Sequence, residues 1–252
     1  MTGTQPTETK GWAVITGGAQ RLGKALAENL HAQGYNIALH YGQSETEAKT
    51  LQYKFNSTRE NSSRLFQANL NNHQQVLKLA NEINSQCDTL KILINNASSF
   101  FATPIGEITE DDWNNLMGSN LKAPLFLTQA LAQNLRLNQG RVINIADIHG
   151  QRPMRDHTVY CLAKAGNIML TQSLAMELGP EICVNGIAPG SILPPVGNTD
   201  WTQEKKDVVA SRTALATMGS SQAIIEAVNY LCLGQYITGQ IINVDGGRSL
   251  FQ

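Results

Sequence analysis

The chain of 252 residues has no long apolar run, no excess of either charge and no clustered cysteines, and each absence removes a class of function. No stretch approaches the roughly 18 to 20 apolar residues that a bilayer span needs. The polar start MTGTQPTETK lacks the basic-then-apolar form of a secretory leader, so the sequence reads as soluble and cytoplasmic. With 19 Lys and Arg against 20 Asp and Glu, and neither sign clustered, the chain carries no electrostatic footprint for nucleic acid or an anionic membrane. Its four cysteines, Cys87, Cys161, Cys183 and Cys232, are far apart and form no CxxC. That pattern argues against a metal site or a disulfide framework and fits reduced packing residues.

A hydrophobic fraction of 42% is enough for a buried core. Seven β-like runs recur along the chain: WAVIT, NIALHY, RLFQAN, LKILINN, GRVINIA, EICVNGIA and QIINVD. Most are apolar at consecutive positions, as parallel strands covered on both faces require. Helical spacers fall at 20–33, about 45–60, 72–86, about 110–138, 157–178 and 221–233. Alternation of this kind predicts an α/β fold, a doubly wound and mainly parallel seven-stranded sheet with helices on both faces. Residues 1–10 read as a loose tail and 11–252 as a single dinucleotide-binding domain. Segment 190–216, rich in Pro, Gly, Asn and charge, reads as a long irregular substrate loop.

TGGAQRLG, residues 16–23, joins the first strand to the first helix. Gly17 permits the tight turn, Gly23 permits close packing of helix on strand, and the helix N-terminus offers free amides to a phosphate. Arg21 is a cation set against the helix dipole, which suggests an anionic partner, either a 2′-phosphate or the pyrophosphate. A further absence points the same way. NIALHYGQSE ends its strand with His40, Tyr41 and Ser44 and has no acid before Glu45, whereas an NAD site usually has a carboxylate there for the ribose hydroxyls. Without that repulsion the expected cofactor is NADP(H).

Tyr160 and Lys164 are spaced i, i+4, so a helix puts both on one face directly after the strand GRVINIA. An ammonium beside a phenol stabilises the phenolate, which predicts a tyrosine able to exchange protons near neutrality. Asn120 lies in the preceding helical segment, where its amide suits a backbone carbonyl or a water.

TGGAQRLG, NNA at 95–97, Asn120, YCLAK at 160–164 and APG at 188–190 together resemble the short-chain dehydrogenase/reductase family over nearly the whole chain. By that resemblance Asn120, Tyr160 and Lys164 fill three places of the catalytic tetrad. The fourth, usually a serine thirteen residues before the tyrosine, is Asp147. A carboxylate repels a developing alkoxide but suits a substrate with nitrogen donors, by accepting from an N–H or, where burial raises its pKa, by donating a proton. Arg21, the stretch LHYGQSE, NNASSF at 95–100 and Asp147 make the chain most similar to the pteridine reductases, which use NADPH to reduce dihydropterins, and sometimes oxidised pterins or folates.

The resemblance implies a substrate site of Arg21, Ser98, Phe100, Asp147 and Tyr160, with Phe100 stacking the pterin against the nicotinamide. It implies cofactor contacts from Gly17, Arg21, Leu22, Gly23, His40, Tyr41, Ser44, Asn69, Leu70, Asn96, Ala97, Ser98, Tyr160, Lys164, Pro189, Gly190 and Ser191, and a homotetramer. Two departures stand beside it. Gln43 replaces a frequent arginine, shifting the 2′-phosphate to Arg21, His40 and Ser44, and Asn69 replaces a frequent aspartate beside the adenine. His149, Arg152 and Arg155, in the loop after Asp147, read as solvated cations with a lesser claim on substrate. A carbonyl or 3-oxoacyl reductase, and a non-catalytic nucleotide sensor, are the other readings.

Overall fold

The first strand is inaccessible at Ala13, Val14 and Ile15 and alternates its side chains between two cores. Trp12 and Val14 face one core, while Ala13 and Ile15 face the other. A computed structural model describes residues 9–192 and 202–250. Residues 1–8 of the expected tail and 193–201 of the expected substrate loop lie outside the described residues.

Seven strands, β1 (Trp12–Ile15), β2 (Asn36–Tyr41), β3 (Ser63–Gln67), β4 (Leu90–Asn95), β5 (Arg141–Ile145), β6 (Cys183–Pro189) and β7 (Ile241–Val244), form one sheet in the order β3-β2-β1-β4-β5-β6-β7. Every pairing is parallel. The helices are α1 (Arg21–Ala32), α2 (Glu45–Thr58), α3 (His73–Gln86), α4 (Glu110–Met117), α5 (Ala123–Leu137), α6 (Thr158–Leu178), α7 (Gln203–Ala210) and α8 (Ser221–Leu233). One core takes Val76 and Leu79 of α3, Leu127 and Leu131 of α5, and Leu170 and Leu174 of α6. The other takes Leu26 and Leu30 of α1, Leu51 and Phe55 of α2, and Ile224 and Val228 of α8. The doubly wound α/β sheet read from the sequence is therefore present, covered by helices on both faces.

Two expectations change. The helical segment 110–138 is divided by a π-helical turn at Gly118–Lys122, where the Ala123 N–H reaches the Gly118 carbonyl. Within 190–216, Gln203–Ala210 is helical, because the Thr202 side chain caps it by accepting from the Lys205 amide. Among the described residues no helix is long and apolar enough to cross a membrane, and no group of three His, Cys, Asp or Glu could hold a metal. All four cysteines are free thiols, and burial pushes Cys87 and Cys232 up to about 12.

The order places a topological switch at β1 and β4, since the chain winds outward through β2 and β3 and then returns to the other side of β1. Ligands of open α/β sheets bind at the carboxyl ends of the strands beside such a switch.

Candidate active site

The loop from β1 to α1 is built around Gly17. Gly17 adopts φ +60°, and a side chain there would meet Ala97. A Cβ on Gly23 would lie 2.1 Å from the Gly17 carbonyl oxygen, so only glycine lets α1 approach this closely. Asn96 fastens the other side by donating from Nδ2 to the carbonyls of Thr16 at 2.9 Å and Gly17 at 3.2 Å. The amides of Asn96 and Ala97 both donate to Thr16 Oγ1.

Gln20 makes no side-chain capping bond to α1, and its first turn holds no acidic residue. The amides at the start of α1 therefore have no side-chain partner of their own helix to compete with an anion. Arg21 is exposed and adopts φ +51°, a conformation that arginine rarely takes and that concentrates at ligand clamps. The two glycines let the turn and α1 pack this tightly, and the donor set at the helix start fits a dinucleotide pyrophosphate.

At the β2 end, Tyr41 is half-buried and the Ser44 hydroxyl makes no capping bond to α2. His40 departs from expectation. It is 2% exposed, with Nδ1 bonded to the Gly17 amide and Nε2 to the Ala68 carbonyl, both at 3.1 Å. Burial lowers its pKa to about 4, with the Ala68 carbonyl pulling the other way. A buried neutral ring with both nitrogens engaged is no ligand for a 2′-phosphate. Beyond β3, Asn69 is exposed with Oδ1 accepting from the Asn71 amide at 3.0 Å, and Leu70 packs against a core.

β4 ends in the run leading to Ser98 and Phe100. Ser98 is exposed, and its hydroxyl makes no hydrogen bond among the described residues. Phe100 is 41% exposed, stacked on His157 at 4.8 Å between centroids and edge-on to Tyr160 at 4.9 Å. His157 was not singled out in the sequence, although it precedes Tyr160 by three residues, one helical turn on the same face.

Asp147 follows β5. Its Oδ2 accepts from the Tyr160 hydroxyl at 2.8 Å and its Oδ1 from the His149 amide at 2.8 Å. Tyr160 is 4% exposed on α6, and burial, then the Asp147 charge and hydrogen bond, hold its pKa well above that of an ordinary phenol. The expected shift toward neutrality is thus reversed, first by burial of the phenol and then by the carboxylate it donates to. Lys164 Nζ donates to the Ile145 carbonyl at 2.8 Å and lies 5.7 Å from the Tyr160 ring centroid. Burial brings Lys164 down to about 8, against the opposing pull of Asp147.

Asn120 occupies the π-helical turn. Its Nδ2 donates to the carbonyls of Ser99 and Leu116 at 2.9 Å each, and its own carbonyl accepts from Asn167 Nδ2 at 3.0 Å. Across the cleft, Pro189 ends β6 and the Gly190 amide donates to Val244 at 3.0 Å. Ser191, half-buried, accepts from the Gly219 amide at 3.3 Å.

Of the loop cations, Arg152 donates to the carbonyls of Arg248 and Ser249, pinning the C-terminal turn. His149 Nδ1 lies against the Arg152 carbonyl, and Arg155 is exposed.

Comparison with known proteins gives concordant matches. The sequence model of a family described as enoyl-(acyl carrier protein) reductase matches residues 17–249. The chain is 34% identical to pteridine reductase 1 of Leishmania tarentolae, over 94% of the chain and 96% of the relative. It is 33% identical to nodulation protein G of Rhizobium sp. (strain N33), over 94% and 96%. It is 31% identical to the 3-oxoacyl-[acyl-carrier-protein] reductase FabG of Staphylococcus aureus (strain Mu50), over 93% and 96%. Identities this similar do not separate the relatives' substrates; the side chains of the site have to.

Proposed function

The chain belongs to the short-chain dehydrogenase/reductase family, and from that premise we propose that it is an NADPH-dependent pteridine reductase. The substrate is a dihydropterin, or a folate or oxidised pterin, reduced at C=N to the tetrahydro level. One observation carries the reading: the Asp147 carboxylate accepts the Tyr160 hydroxyl at 2.8 Å. A ketone gathers negative charge on oxygen as it is reduced, and a carboxylate at that spot opposes it. A pterin edge presents N–H donors, which a carboxylate accepts. Phe100 supports the same substrate, since an exposed ring beside Tyr160 offers a stacking surface for a flat heterocycle.

When bound, the reduced nicotinamide supplies the hydride to the ring carbon. The chain's residues serve the nitrogen, which takes one proton as the C=N π pair moves onto it. In the resting site the Tyr160 hydroxyl keeps its proton and donates it in a hydrogen bond to Asp147. A substrate N–H that takes over Asp147 as acceptor frees Tyr160 to turn its proton toward the ring nitrogen. The resulting phenolate lies next to the ammonium of Lys164, which stabilises it until solvent returns the proton.

The reading includes a cytoplasmic homotetramer. Leu162, Met169 and Met176, 50%, 63% and 87% exposed, recur every seven residues on the outer face of α6 and make an apolar stripe suited to self-association.

The test is NADPH oxidation by purified protein with dihydrobiopterin, dihydrofolate and a 3-oxoacyl thioester in parallel. Turnover of a dihydropterin or dihydrofolate is expected. Turnover of the thioester with none of the pterins overturns the proposal in favour of a carbonyl reductase.

A further inference from the structure

His40 stands at the carboxyl end of β2 yet is 2% exposed. Its partners fix the ring's tautomer. The Gly17 N–H can only donate, so Nδ1 accepts, and the Ala68 carbonyl can only accept, so Nε2 carries the proton. The His40 main-chain carbonyl accepts the next amide, Gly18 N–H, at 2.9 Å.

Gly17 is therefore gripped from both sides: its N–H by His40 and its carbonyl by Asn96 Nδ2. It is the residue at φ +60° whose carbonyl lies beneath Gly23. The far end of the imidazole holds Ala68, which leads directly into Asn69 and Leu70. One neutral ring thus links the glycine turn under the pyrophosphate site to the loop on the adenine side.

We propose that His40 is a positioning residue for the dinucleotide, fixing the Gly17 turn and the Ala68–Asn69 loop as one rigid unit without touching the cofactor. The inference rests on the reading that this crevice binds NADPH. A preformed turn spares the cofactor the entropy of ordering it, so loss of the link appears in affinity.

The test compares three variants by calorimetric titration with NADPH alone. His40→Asn places an oxygen near the Nδ1 position and keeps the Gly17 acceptor. His40→Gln places an amide near the Nε2 position and keeps only the Ala68 donor. His40→Leu keeps neither. Each variant breaks the link at one end or both, so we expect His40→Asn to weaken binding by about threefold and His40→Gln and His40→Leu by about tenfold, the larger loss following the part-buried Gly17 amide that is left without its acceptor. With pterin present, KM for NADPH should rise while kcat at saturation holds.

Urea unfolding of the same variants separates folding from binding. If His40→Leu binds within twofold of wild type, or if Asn and Gln lose affinity equally and in step with stability, the positioning role is wrong. Absence of NADPH binding by the wild-type protein would instead overturn the cofactor reading beneath it.

Discussion

Tyr160 and Lys164 show how one residue's chemistry depends on a third. Four residues apart on α6, they suggest a phenol drawn toward neutrality, but burial, together with the Asp147 carboxylate that accepts the hydroxyl, holds the pKa high. Asp147→Ser should therefore cut kcat/KM for a dihydropterin by about a hundredfold or more, the usual scale for a positioned proton-transfer group. NADPH affinity measured by titration should stay constant, and equal loss of both would mean a merely structural carboxylate.

Lys164 is buried and lowered from 10.5 to about 8, so the unfolded chain binds more protons between those values. Its contribution to stability rises with pH across that window and is a burden below it. Lys164→Met should lose turnover yet melt no lower than wild type at pH 7, and any advantage should shrink as pH climbs from 8 toward 10.5. His40 obeys the same sign at acid pH. Lowered from 6.5 to about 4, it contributes stability above 6.5 that disappears as pH falls through 4, so His40→Asn should resist acid unfolding better than wild type.

Among the elements, the π-helical turn at Gly118–Lys122 interrupts the helix between α4 and α5. It turns Asn120 so that Nδ2 reaches both the Ser99 and Leu116 carbonyls, the kind of local departure from α geometry found at functional sites. Asn120→Leu takes the side-chain donor away from the Ser99 and Leu116 carbonyls and should cost about 1–3 kcal/mol in denaturant unfolding. Because Ser99 precedes Phe100, the same change should raise KM for pterin. The loop carrying Phe100 also leans on the start of α6 through the ring of His157. His157→Ala should raise KM for pterin about fivefold, the scale of one aromatic pair, with KM for NADPH unchanged. Equal rises in both constants would count against a local role.

At the scale of the whole molecule, the strand order brings the loops after β1, β4, β5 and β6 to one edge of the sheet, so residues more than a hundred positions apart share a cleft. The stripe on α6 lies on the opposite side of the helix from Tyr160 and Lys164, which leaves it open to a second copy. Met169→Asp with Met176→Asp should lower the sedimentation coefficient of the protein; an unchanged coefficient would exclude this face from any interface.

The seven strands, the helices on both faces and the glycine turn could be read from residue order, because apolar period, turn chemistry and i, i+4 spacing involve neighbours within a few positions. The pairing of Tyr160 and Lys164 on one face is legible for the same reason. His40 could not be read correctly that way, since both its partners come from other segments, Gly17 before α1 and Ala68 after β3. Nor could the phenol's pKa, the stacking of His157 or the break at Gly118–Lys122. Those depend on what packing brings together and what it removes from water, and long-range contact and burial, rather than local pattern, decide them.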